Sequence, residues 1–175
     1  MIIESKPIII CIVGPSGSGK TTMARFLEKA LDIPMLVSYT TRPKRPNEID
    51  GVDHRFVTED QMPSRDKMLA YTKFGNYHYW MPLEEVEDKG ICTYVIDEKG
   101  LLELAENFSD DYNLFSILVK RDTDKLIAQV GKERVKRDLE RVSIPEAEYC
   151  TVIANNDRIE DFLADSYKLI KNFLE

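Results

Sequence analysis

The nine residues Gly14, Pro15, Ser16, Gly17, Ser18, Gly19, Lys20, Thr21 and Thr22 read GPSGSGKTT. They fit G-x-x-x-x-G-K-[ST] at every position. Backbone N–H groups can wrap a phosphate only if the chain adopts conformations that glycine takes cheaply. A helix that starts at Lys20 aims its positive end at the anion. Lys20 adds a point charge for the outer phosphates, and the Thr21 hydroxyl suits Mg²⁺. A strand-like run before the stretch and an amphipathic pattern after it supply the required setting. The alternative is a glycine-serine turn that merely caps a helix, and that setting argues against it.

A second stretch, SYTTRPKRPNEIDGVDHRF, puts Arg42, Lys44 and Arg45 within four positions. Two arginines stiffened by an intervening proline make a forked anion clamp. A solvated basic loop is the plainer reading of the same residues.

These residues need a frame. PIIICIV, Pro7 to Val13, is a continuous β-branched run bounded by turn residues, as a buried parallel strand requires. TTMARFLEKAL spaces Met23, Phe26, Leu27 and Leu31 as a helix does. PMLVSYT, ICTYVID, NLFSILV and TVIA are further strand candidates. Helical patterns cover 98–107, 124–130, 135–142 and 159–174. Strand and helix in alternation predict a three-layer α/β sheet. Residues from about 38 to 81 break the rhythm; they are polar, rich in Tyr and Arg, and contain two strand-like runs, HRFV and YTKFGNYHYW. They read as an insertion on the ligand edge. VGKERVKRDLER, Val130 to Arg141, is basic and lacks an apolar stripe over its first half.

At 175 residues the chain suits one domain with a small inserted subdomain. Its formal net charge of -7 argues against nucleic-acid binding, which uses a broad basic surface, but leaves room for one basic pocket. Cys11, Cys92 and Cys150 are odd in number and widely spaced, so neither a disulfide framework nor a zinc site is expected. No leader or membrane span is expected, and a reducing cytoplasm fits.

The ordered set GPSGSGKTT, SYTTRPKRPNEIDGVDHRFV, FGNYHYW, VIDEKG and VIANND resembles the guanylate kinase family over almost the whole chain. The resemblance implies a P-loop nucleoside monophosphate kinase fold. That fold has a parallel-sheet core (1–37 and 82–175), an acceptor-binding insertion (about 38–81) and a short lid (about 130–137). It implies MgATP-dependent phosphorylation of GMP or dGMP, with small nucleotides as partners. Gly14 to Thr22 would hold ATP, and Asn155 would contact adenine or simply close a turn. Arg42 and Arg45 would clamp the acceptor phosphate, and Ser38 would touch guanine. Asp97 would stand near Mg²⁺ and the acceptor, as the N-cap of a helix, or both. Arg134 and Arg137 would bring lid cations to the transferred phosphate, unless they are only a solvated face.

The sequence departs from the family's pattern at the acceptor. Two tyrosines that touch the acceptor phosphate align with His54 and His78, the chain's only histidines. The guanine-reading glutamate aligns with Leu69, and a small hydroxyl residue with Trp80. Val95 replaces the first aspartate of a D-x-D strand. Tyr71, Tyr77, Tyr79 and Trp80 offer base-tolerant stacking or core packing. Two other functions stay open on these grounds: a kinase for a different nucleoside monophosphate or a phosphorylated sugar, and a non-catalytic protein-binding module. The intact Lys20 and Thr21 speak against the module. Oligomeric state is not predicted.

Overall fold

A computed structural model describes residues 6–175; the first five residues of the expected core segment lie outside them. Five strands form a wholly parallel sheet: β1 (Ile8–Val13), β2 (Met35–Leu36), β7 (Ile91–Val95), β8 (Asn113–Lys120) and β9 (Thr151–Ala154). Their order is β2-β7-β1-β8-β9, with β1 at the centre. The β1 run is apolar throughout because both its faces are covered. Ile9, Cys11 and Val13 pack on one side with Leu101 and Leu104 of helix α2 (Glu98–Phe108). Ile10 and Ile12 pack on the other with Met23 and Leu27 of α1 (Lys20–Leu31) and Phe162 and Ile170 of α5 (Ile159–Leu174). The three-layer α/β expectation is met.

A second sheet is built from β3 (Tyr39–Thr40), β4 (Arg55–Phe56), β5 (Met68–Phe74) and β6 (Tyr77–Pro82), in the order β4-β3-β6-β5. The apolar run PMLVSYT is thus two strands, not one: β2 closes the parallel sheet, and after Val37 and Ser38 the chain enters the second sheet. β5 and β6 form a hairpin whose turn uses Gly75 at φ +59°. Ala70 and Met81, on one face of that hairpin, join the same core cluster as Leu101.

Between β8 and β9 lie α3 (Thr123–Val130) and α4 (Lys132–Leu139). Gly131, at φ +85°, separates them: its N–H ends α3 on Ile127 O and its carbonyl accepts from Val135 N. This junction starts α4 three residues earlier than the apolar pattern predicts. α4 needs little apolar stripe because only Val135 of its residues is buried.

Candidate functional site

The Gly14–Thr22 loop joins central strand β1 to α1. Gly17 and Gly19 take φ +81° and +108°. A Cβ on Gly19 would lie 2.6 Å from Asn155 Nδ2. Asn155 is buried and donates from Nδ2 to Ser18 O at 2.8 Å; Arg121 Nη1 donates to Gly17 O at 2.9 Å. The loop is therefore braced from both flanks. No side chain caps α1, so the first-turn N–H groups of Lys20, Thr21 and Thr22 are free for an anion. Thr21 and Thr22 are exposed. Beside them is a cavity of about 450 Å³ bordered by Gly19, Arg121, Gln129, Asn155, Asp157 and Ile159. Asn155 serves the loop as a brace and lines this cavity as well. Arg121, which has no sequence motif around it, was not anticipated.

Lys20 folds back, donating from Nζ to Gly14 O at 2.7 Å and Pro15 O at 2.8 Å. Burial, then the nearby Arg141 charge, brings its ammonium down to about 8. Asp97 does cap α2: Oδ1 accepts from Gly100 N at 2.7 Å. Glu98 beside it is pushed up, chiefly by burial.

α4 reaches over this region. Arg137 lies over the Phe74 ring of the second sheet at 5.4 Å. Arg134 is held below its usual range by partial burial and by the Arg45 and Arg137 charges. Asp138 accepts from Ser16 N at 2.7 Å and pairs with Arg141 Nη2 at 3.0 Å. Neither Asp138 nor Arg141 was foreseen, although the spacing of Arg134 and Asp138 places both on one face of α4, with Arg141 just beyond its end.

Across the cleft, Arg42 makes a two-pronged contact with Glu48, Nη1–Oε2 and Nη2–Oε1 both 2.8 Å. Glu48 also accepts from Arg45 N at 2.8 Å. The Arg42 bonds, followed by the Arg45 N–H, hold the Glu48 carboxyl down to about 2. Among the described residues no ion pair engages the Arg45 guanidinium. Ser38 Oγ lies 2.9 Å from His54 Nδ1. Burial first, and then the Arg42 charge, lowers the His54 pKa.

The hairpin register divides the expected acceptor set between two faces. Tyr79 pairs with Thr40 and Thr72, so these three share a face. Tyr79 meets His54 edge-on at 5.8 Å. Tyr77 and Phe74 continue this face toward α4. His78 and Trp80 turn the other way. His78 Nδ1 bonds Tyr71 Oη at 2.8 Å, and its Nε2 is 3.5 Å from Glu59. Trp80 is 1% exposed and stacks on Tyr39 at 5.7 Å. Leu69 is wholly buried in the core cluster with Leu101. In this structure Leu69 and Trp80 are buried and His78 is bonded to Tyr71, while Tyr79 lies beside His54 on the opposite face. Strand alternation is the cause: a shift of one residue changes the face.

Parallel strands that end on a phosphate loop, with a second sheet presenting a cationic floor to it, are the arrangement of a P-loop nucleoside monophosphate kinase. Known proteins agree. The guanylate kinase family profile matches residues 4–175. Guanylate kinase of Salinibacter ruber is 31% identical over 95% of this chain and 96% of its own length. That of Nitrobacter winogradskyi is 31% identical over 97% and 84%. The crystal structure of guanylate kinase from Anaplasma phagocytophilum superposes with a TM-score of 0.70 at 25% identity, covering 97% of this chain and 87% of that one. A sugar kinase from Janibacter sp. HTCC2649, at 11% identity and a TM-score of 0.53, shares the fold alone. The chain belongs to the guanylate kinase family and is an enzyme, a nucleotide kinase.

Proposed function

We propose that the enzyme transfers the terminal phosphoryl group of ATP to GMP or dGMP. The observation that carries this reading is the phosphate loop with its uncapped helix, set opposite the Arg42–Glu48 clamp. Gly14 to Thr22 hold the donor phosphates, and Asn155 and Arg121 shape the cavity for the donor base. Arg42 is oriented by Glu48, and Arg45 has its guanidinium free for the acceptor phosphate. Ser38, His54 and Tyr79 form the rest of the acceptor floor. Arg134 on α4 and Arg141 just beyond it, acting as the lid, bring positive charge to the group in transit. Phosphoryl transfer needs in-line positioning and charge neutralisation more than covalent chemistry.

The residues present suit Mg²⁺. The Thr21 hydroxyl is exposed beside the loop, and Asp97 spends one oxygen on its cap. The other oxygen is available for a metal or the acceptor, and Mg²⁺ of this kind takes few protein ligands and several phosphate oxygens. Bound there, the ion would neutralise phosphate charge. A cytoplasmic setting is consistent with three free thiols, and no helix among the described residues is long and apolar enough to cross a membrane.

The burial of Leu69 favours a second acceptor reading. The hairpin face that carries Thr72 and Tyr79 shows no carboxylate, so a pair of guanine donors finds no matched acceptor on it. Coupled ADP release with MgATP and GMP, dGMP, AMP, UMP, CMP or dTMP decides between them. Fastest turnover is expected with GMP or dGMP; turnover confined to another monophosphate would replace the guanine assignment.

A further inference from the structure

The phosphate loop is occupied by a group of the protein's own. Asp138 Oδ2 accepts from Ser16 N at 2.7 Å, across 122 positions of sequence. Its side chain is only 6% exposed. Arg141 holds the other oxygen at 3.0 Å, and Lys20 is drawn back onto the carbonyls of Gly14 and Pro15. Asp138 sits in the last turn of α4, where the helix dipole disfavours a carboxylate. The compensation comes from outside the helix, from a loop N–H and a cation. Those are the same kinds of donor that a phosphate oxygen would use.

We propose that Asp138 is an internal anion that occupies part of the phosphate cradle, latches α4 over it, and must be displaced by the arriving nucleotide. The inference rests on the Gly14–Thr22 loop being the donor phosphate site. When a phosphate takes the Ser16 N–H, Asp138 leaves the loop, and Arg141, held to its other oxygen by charge without a hydrogen bond, can turn to the phosphate instead. The latch thus couples arrival of the donor to release of a cation for it. It also keeps the loop's charge satisfied while no nucleotide is bound. A charge-assisted bond must then be broken before binding, which lowers apparent affinity, because a competing internal ligand reduces the fraction of protein able to bind.

The test is calorimetric binding of MgATP and of pyrophosphate to the wild type, Asp138→Asn and Asp138→Ala. Asparagine still accepts from Ser16 N but has no charge; alanine does neither. Affinity should rise in the order wild type, Asn, Ala, reaching about tenfold for Ala. A thermal melt confirms that each variant is folded. Limited trypsin digestion without nucleotide gives a second readout: cleavage at Lys132, Arg134 and Lys136 should quicken in Asp138→Ala and be suppressed again by MgATP. A residue that merely packs α4 would weaken binding or leave it alone. Equal or weaker affinity in both variants would overturn the latch and leave the loop assignment standing. Failure of MgATP and pyrophosphate to bind any of the three proteins would overturn both.

Discussion

Glu48→Gln separates the fixing of Arg42 from its charge. In the wild type the Glu48 carboxyl stands at about 2, against 4.5 ordinarily. Taken whole, that difference corresponds to ~3 kcal/mol of folding stability. The side chain is 17% exposed, and solvent at this rim screens part of the interaction, leaving about 1–2 kcal/mol. The folded pKa is depressed. The contribution is therefore complete above pH 4.5, the ordinary value, and is lost as pH falls toward 2, the folded one. At neutral pH the glutamine variant should melt roughly 2–8 °C lower, since 1 kcal/mol moves a chain of this size by about 2–4 °C. The gap from wild type should shrink steadily as pH falls from 4.5 toward 2.5, within that window. Paired thermal melts by circular dichroism at half-unit pH steps measure it. A gap that stays constant across the window would refute the reasoning, because it would mean that shape and not charge holds the pair. The acceptor KM should rise in the same variant with ATP affinity little changed, as Arg42 loses its orienting partner.

Two other outcomes follow from the site. Lys20, at about 8 in the free protein, should be driven fully charged by donor phosphates. At pH 8.5, calorimetry of ATP binding in buffers of different ionisation heat should show uptake of about 0.8 proton. That uptake should vanish in Lys20→Ala along with phosphoryl transfer, while the melt is retained. No uptake in the wild type would mean that the phosphates do not reach Lys20. Tyr79→Phe should raise the acceptor KM several-fold, and His78→Gln should leave it near the wild-type value; the reverse result would put His78 back on the cleft face.

The two halves of the site differ in how far the sequence discloses them, and the difference is physical. The donor half is recognised by backbone. Its glycines, Lys20 and Thr21 must stand at fixed spacing along a few residues, so the string GPSGSGKT carries the geometry directly. Strand β1 is as legible, because double burial demands a run of apolar residues. The acceptor half is made by side chains that meet only after folding. In Tyr77-His78-Tyr79-Trp80 every residue is aromatic, so no polar alternation marks the exposed face. The register shift between Met68 and Ala70 then decides which residues look into the cleft. The resemblance pointed to His78, and one residue of register puts Tyr79, not His78, beside His54. Asp138 was harder still, since its partner Ser16 is remote in sequence and a lone aspartate on a basic helix looks like a solvated charge. On the proposed reading, the phosphate loop is written in the sequence and the acceptor face is set by the strand register. Substitutions at Thr72 and Tyr79, not at Leu69 and Trp80, are the ones expected to change which monophosphate the enzyme takes.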